Sequence, residues 1–311
     1  MHRRWLVIRN GAVGDTVLLS PLIGVIRRAE PQAEITVMGV AERVALLVGE
    51  GMADRAVSFE QPGIESLYAE AGEIAESVQA FLTEYDVILY MGSGDLKRMA
   101  ERLRVRPDQI VSAHPALPQA GEPVHVVDHS LKALEGLVAI GQPPRPCIPL
   151  GRDEKEDARL ELVKRCGGTL EDVFLLGLHV GASSAAKRAP LDYFFRIVER
   201  INEVGRMVIL LPQGPADEDA VQDFLNVMLN QKQVVLIRNE PLRRVAALLS
   251  ACDIFVGNDS GITHVAAAVG CPVLVFFVRE DPWQWAPRCE HARIVDLREV
   301  GGEKQTGNLE K

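Results

Sequence analysis

The sequence has no long apolar run. Its first one, residues 5–8, is closed by Arg9 and is too short for the apolar core of a secretory leader. No stretch approaches the ~18 residues of a membrane span. Cysteine is scarce and scattered, with five residues at positions 147, 166, 252, 271 and 289 and no CxxC pair. That excludes a zinc ribbon and a dense disulfide framework. Cys252 and Cys271 fall in apolar runs and read as buried thiols of a reducing compartment, so a cytoplasmic location is expected. Positive charge is not in excess either. The formal net charge is −9, spread evenly over both halves, which argues against wholesale nucleic-acid binding.

What is there is an alternation of strand-length apolar runs with helix-like segments over 311 residues, enough for two domains. In the first half, residues 5–8, 34–38, 56–59, 87–90 and 109–112 read as strands. Stretches 17–28 and 66–82 carry apolar residues at spacings of three and four, as amphipathic helices do. Residues 141–152 hold four prolines and no periodicity, and read as a linker. A second series follows, with strands predicted at 174–179, 207–211, 234–237, 254–256 and 273–277. Helices are predicted at 191–203, 216–230, 242–251 and 262–269, and the polar tail after Arg298 reads as frayed. The expected fold is α/β: two doubly wound, Rossmann-like domains, 1–145 and 153–311, facing a cleft where such folds place ligands.

Three strand-to-helix loops break apolar strands with small and polar residues. In the first, Arg9-Asn10-Gly11-Ala12-Val13-Gly14-Asp15-Thr16, the glycines permit a close turn and Asp15 suits a helix N-cap. The spacing is not that of a GxGxxG dinucleotide fingerprint. The second loop, 179–188, offers Ser183, Ser184, Lys187 and Arg188 ahead of a helix. Small residues, hydroxyls and cations there suit an anion, and equally a solvated turn. The third, Gly257-Asn258-Asp259-Ser260-Gly261-Ile262-Thr263-His264, opens a helix of very small residues. Ser260 and the N–H groups that follow it would face a ligand, with His264 one helical turn further on.

Taken in order, these loops resemble glycosyltransferase family 9, the heptosyltransferases of lipopolysaccharide core assembly. The opening strand with its Gly14-Asp15 and the Pro21-containing helix, the Gly181-Ala182-Ser183 and Lys187-Arg188 loop, and the Asn258-Asp259-Ser260-Gly261 run ending in His264 all match. Gly270-Cys271-Pro272-Val273 continues the match, which extends over roughly residues 5–287. Where the family carries an aromatic after Lys-Arg this chain has Ala189. Gln213-Gly214-Pro215 replaces Gly-Gly-Pro, and Phe277-Val278-Arg279 replaces Phe-Gly.

The resemblance implies a GT-B fold and inverting transfer from a nucleotide-diphosphate sugar, ADP-heptose in the best-known members. The acceptor would be lipid-linked or a lipopolysaccharide core, with peripheral contact at the cytoplasmic face of the inner membrane. Asp15 would be the general base. Ser183, Ser184, Lys187, Asp259, Ser260, Gly261 and His264 would hold the donor, and Glu218 its ribose. A lysine against the departing diphosphate would make a metal dispensable, so no metal and no cofactor are expected.

Lys97, Arg98 and Arg102 belong to a locally basic stretch, 97–108, that would suit an anionic acceptor or simply be a solvated helix face. Two readings compete with transfer. One is a non-catalytic paralogue that binds a nucleotide sugar, and the other is a nucleotide-sugar epimerase of the same two-domain build.

Overall fold

Apolar runs flanked by loops assemble into two parallel sheets in the computed structural model, which describes residues 2–69, 72–119, 121–228 and 233–298. The chain divides into two compact units. Unit 1 comprises Met1–Lys155 with Pro241–Ala247, and unit 2 comprises Glu156–Glu240 with the chain from Leu248 onward. Among the described residues no helix is long and apolar enough to cross a membrane.

The sheet of unit 1 is built from β1 (Arg4–Arg9), β2 (Glu34–Gly39), β3 (Arg55–Ser58), β4 (Val87–Gly92) and β5 (Ile110–Pro115), in the order β3-β2-β1-β4-β5. Its inner strands are unbroken apolar runs because helices cover both faces of a parallel sheet. Thus Trp5, Leu6, Val7 and Ile8 of β1 are all buried, and Leu6, Ile8, Met38 and Ile88 pack with Leu82 and Tyr85. The helices are α1 (Val13–Val17), α2 (Ser20–Ala29), α3 (Ala41–Val44), α4 (Glu65–Tyr68), α5 (Glu76–Thr83), α6 (Leu96–Leu103) and α7 (Val126–Leu131).

Helix α8 (Arg152–Arg165) leads to the second sheet, β6 (Val173–His179), β7 (Arg206–Gln213), β8 (Val234–Arg238), β9 (Ile254–Asn258), β10 (Val273–Phe277) and β11 (Ala292–Asp296). Their order is β11-β10-β9-β6-β7-β8, and the flanking helices are α9 (Leu191–Asn202), α10 (Glu218–Val227), α11 (Leu242–Leu249), α12 (Gly261–Ala268) and α13 (Pro282–Trp285). Leu176, Leu178, Ile209 and Phe276 form a core with Phe194 and Phe224. Strand order reverses at β1/β4 in unit 1 and at β6/β9 in unit 2. Loops leaving the two strands at such a point diverge to opposite faces and open a crevice at the carboxyl edge.

The strands lie where the apolar runs predict them, to within a few residues, but two predicted helices are each broken in two. Segment 17–28 divides at Leu18-Leu19 into α1 and α2, because Pro21 has no N–H to offer the Val17 carbonyl. The Ser20 hydroxyl donates to that carbonyl instead, at 2.6 Å. Segment 66–82 divides into α4 and α5, with Gly72 in the left-handed region at φ 100°. Of the predicted helix 216–230, Glu218–Val227 is helical, and residues 229 and 230 lie outside the described residues, as does the tail after Arg298. The proline-rich stretch has no regular structure up to Gly151, yet it is laid against unit 1: Ile148 is buried, and the Cys147 N–H donates to Ser20 Oγ at 3.0 Å.

Within segment Pro241–Ala247, Arg243 bonds extensively to unit 1. Arg243 donates from Nε and Nη2 to the two Glu154 oxygens at 2.6 and 2.9 Å. It also donates to the carbonyls of Ala45, Val48 and Pro149 at 2.9, 2.9 and 3.0 Å. All five N–H groups of the guanidinium are thereby used, which a lysine cannot imitate. Arg243→Lys is therefore expected to lower the stability of the protein by about 2 kcal/mol, read as a shift of the urea midpoint at unchanged slope. An unchanged midpoint would show that the clamp contributes nothing.

Candidate functional site

The crevice of unit 2 is organised by Asn258, the last residue of β9, whose side chain is fully buried. Its Nδ2 donates to the carbonyls of Val180 and Gly181, both at 3.0 Å, and its Oδ1 accepts from the Ala189 N–H at 2.8 Å. The amide orientation is fixed by its partners, since a backbone N–H can only donate and carbonyls can only accept. One side chain thus ties both ends of the 180–189 loop to the strand that launches α12. Thr263 closes the turn by donating to the Asn258 carbonyl at 2.6 Å. A Cβ at Gly257 would come within 2.8 Å of the Thr263 hydroxyl, so a side chain there would crowd this turn.

Behind the loop runs a buried polar chain. His179, the last residue of β6, meets Asp217 Oδ2 through Nε2 at 3.2 Å and Ser260 Oγ through Nδ1 at 3.2 Å. Ser260 Oγ in turn lies 3.2 Å from Thr263 Oγ1. Ionised Asp217 can only accept, so Nε2 donates to it, and Ser260 Oγ lies within hydrogen-bond reach of Nδ1. Burial alone would raise the Asp217 pKa, but the hydrogen bond and charge of His179, the Gly214 N–H and Arg188 outweigh it and hold it below the ordinary value. Gly181 is required by this packing, because a Cβ there would sit 2.0 Å from Asp217 Oδ1.

Of the residues predicted to hold the donor, Asp259, Ser260, Gly261 and His264 follow Asn258 directly. Ser260 is the N-cap of α12, whose first N–H groups belong to Gly261 and Ile262. His264 is buried, its Nε2 3.9 Å from Asp259 Oδ1. Burial pushes the Asp259 carboxyl up to about 6; the charge of Lys187 opposes this and that of Glu280 adds to it. Lys187 ends a 3-10 turn, Ala185–Lys187, and its Nζ pairs with Glu280 Oε1 at 2.8 Å. Ser183 and Ser184 are exposed on the same loop. Glu218, the first residue of α10, is exposed, and the acidic side chain built into the buried chain is its neighbour Asp217.

In unit 1, Asp15 lies at the β1/β4 reversal. It is the third residue of α1 and not the N-cap expected of it; the N-cap is Ala12, whose N–H donates to Asp15 Oδ2 at 2.8 Å. Arg9, buried at the end of β1, donates to Asp15 Oδ1 at 3.1 Å. A small pocket beside them is lined by Arg9, Asp15, Leu18, Met91 and Ser130. Each carboxylate oxygen has a second lone pair, so Asp15 can still accept a proton or a hydroxyl. Lys97 is exposed on α6. Arg98 donates to the Ala69 carbonyl, and Arg102 to those of Leu67, Gly72 and Ser66, so both arginines brace the polypeptide that precedes α5.

Asn258, His179, Asp217, Arg9 and Glu280 were not among the predicted site residues. Arg9 and His179 carry a signal that could have found them: each is a polar residue ending a buried strand at a loop. Glu280 carries none, since its role depends on which loop folds beside it.

Comparison with known proteins places these loops in a family context. The sequence model for glycosyltransferase family 9 (heptosyltransferase) matches residues 122–309, a segment that includes both unit 2 loops and excludes Asp15. Over 128 residues the chain is 30% identical to lipopolysaccharide heptosyltransferase 2 of Salmonella typhimurium, covering 40% of this chain and 36% of that one. The chain thus spans little more than a third of the length of that curated relative. A crystal structure of a family 9 glycosyl transferase from Veillonella parvula superposes with a TM-score of 0.76 at 20% identity, over 96% of this chain and 88% of that chain. The E. coli ADP-heptose lps heptosyltransferase II gives 0.74 at 20% identity, over 94% and 90%. These likenesses establish the fold as GT-B, with two Rossmann-like sheets.

The raised Asp259 pKa makes a prediction with a definite sign. Between the ordinary 3.8 and about 6 the folded protein binds more protons at this site than the unfolded chain. Its cost to stability is therefore absent below that window, grows as pH rises through it and is reached in full above it. Asp259→Asn should be more stable than the parent at pH 8, by about 3 kcal/mol at most, and the difference should vanish near pH 4. Parallel urea titrations at the two pH values check this. A pH-independent difference would refute it.

Proposed function

Because the chain belongs to glycosyltransferase family 9, we infer that it moves heptose from ADP-heptose onto a lipopolysaccharide-core acceptor, inverting the anomeric centre. The observation that carries this reading is the loop pair held by Asn258, which gathers a cation, a hydroxyl and helix N–H groups at the carboxyl edge of unit 2. Such an assembly suits a diphosphate. It sits at the strand-order reversal, where doubly wound sheets bind nucleotides. The names of the similar proteins supply the donor and acceptor classes.

In the reaction, the bond from the acceptor oxygen to the anomeric carbon forms as the bond from that carbon to the phosphate oxygen breaks. The hydroxyl proton passes to the Asp15 carboxylate. The electron pair of the broken bond leaves on ADP, where charge builds during the step. Lys187, the Ser260 hydroxyl and the Gly261 and Ile262 N–H groups meet that charge, and their value lies in being fixed before it develops. Arg9 and the Ala12 N–H hold Asp15 in one orientation while leaving lone pairs for the incoming hydroxyl. His179 and Asp217 act on Ser260 as positioning residues. Lys97 meets anionic groups of the acceptor, together with whatever charge Arg98 and Arg102 present beyond their carbonyl partners. An acceptor with a lipid anchor brings the protein to the cytoplasmic face of the inner membrane as a peripheral visitor.

The test is ADP release from ADP-heptose with and without a lipopolysaccharide-core acceptor. Release should need the acceptor. Asp15→Asn should lower kcat by about 10³ while ADP-heptose still raises the melting temperature. Lys187→Ala should lower kcat by about 10² or more and weaken donor binding as well. Undiminished turnover by Asp15→Asn would remove the general base, and acceptor-independent conversion of the donor would favour an epimerase. Binding without turnover under all conditions would favour a non-catalytic paralogue.

A further inference from the structure

Lys187, the cation assigned above to the donor diphosphate, is paired with a carboxylate of the protein itself. Its Nζ lies 2.8 Å from Glu280 Oε1, and the two side chains are 26% and 37% exposed. The partners come from different loops: Lys187 follows β6, and Glu280 follows β10. The strand between them in the sheet is β9, whose loop supplies Asp259. Asp259 is half-buried and feels the charges of both Lys187 and Glu280. The ammonium is thus paired with one carboxylate, with a second in the neighbouring loop, at the place where a dianionic group should dock. Glu280 directly follows Phe277-Val278-Arg279, where this chain departs from the Phe-Gly of the family it resembles.

We propose that Glu280 is a built-in competitor for the diphosphate, holding Lys187 when the site is empty and yielding it when the nucleotide binds. The proposal rests on the reading of Lys187 as the diphosphate cation. A partly exposed ion pair is weak enough to exchange, because water stabilises both charges once they separate. While Glu280 remains nearby it also repels the phosphates, so it lowers affinity for every diphosphate ligand. The product ADP, which carries the full charge of the broken bond, is the ligand most affected. Glu280 therefore assists product departure, and the pair reforms as ADP leaves.

The experiment compares the parent protein with Glu280→Gln, which keeps the size and an acceptor oxygen but removes the charge. ADP should bind about five- to tenfold more tightly to the variant by calorimetry, with most of the change in a slower dissociation rate. Adenosine, which has no phosphate, should bind both proteins equally. Glu280→Ala should shift ADP affinity in the same direction and guards against a folding defect peculiar to one substitution. Equal or weaker ADP binding by both variants overturns the proposal, as does an equal change for adenosine. If the parent protein binds ADP and the variants match it, the transferase reading survives and only the competitor falls. If neither the folded parent nor the folded variants bind ADP or ADP-heptose, both readings fall together.

Discussion

The carboxyl edge of unit 2 depends on one buried amide. Asn258 must accept one hydrogen bond and donate two, within reach of a strand end, and it is fully buried. An aspartate of the same shape would set a carboxylate against two carbonyl oxygens, and an alanine would leave three backbone groups dry and unpaired, each at a cost of about 1–3 kcal/mol. Both ends of the 180–189 loop are therefore held before any ligand arrives. In the proposed transfer that matters, because donors already in place need no reorganisation when the charge appears. The small residues nearby follow from the same constraint. Gly181 admits Asp217, Gly257 leaves room for Thr263, and Thr263 secures the carbonyl of Asn258 itself.

Ala189 shows why a departure from the family pattern need not disturb this arrangement. The staple is made to its backbone N–H, so the side chain at that position is not part of it. Ala189 is buried in the core of unit 2, among Val180, Phe194 and Val256. A small residue there removes an aromatic surface from the neighbourhood of the loop without releasing the loop. Glu280, which follows the Phe277-Val278-Arg279 departure, places a negative charge beside Lys187.

Most of the fold was legible because parallel sheets demand unbroken apolar runs, and such runs are visible without any knowledge of tertiary contacts. The first five strands and five of the second six could be read this way. The edge strand β11 could not: Ala292–Asp296 is half exposed and too short to show a pattern. Helix α8 was invisible for the opposite reason, since Arg-Asp-Glu-Lys-Glu-Asp-Ala-Arg offers no apolar stripe at its start. The stretches 17–28 and 66–82 each divide because apolar periodicity continues through Leu18-Leu19 and Gly72 while the helical backbone does not. Two contiguous halves were also too simple. Residues 241–247 cluster with unit 1, where Arg243 makes five hydrogen bonds to Ala45, Val48, Pro149 and Glu154, a contact with no sequence signature.

At the site, the loops were legible and the division of labour within them was not. Spacing marked Asp259, Ser260, Gly261 and His264, but nothing in the order of letters says that Asn258 carries the framework or that Asp217, and not Glu218, turns toward His179. The charge balance shows why such details decide chemistry. If the site takes a diphosphate as proposed, a protein of net charge −9 needs a local cation there, yet a cation left bare would hold product as firmly as substrate. In the proposed role, Glu280 paired with Lys187 would set its attraction at an intermediate level. Binding energy would then be withheld from the ground state and from the product, and remain available where charge is greatest, in the transition state.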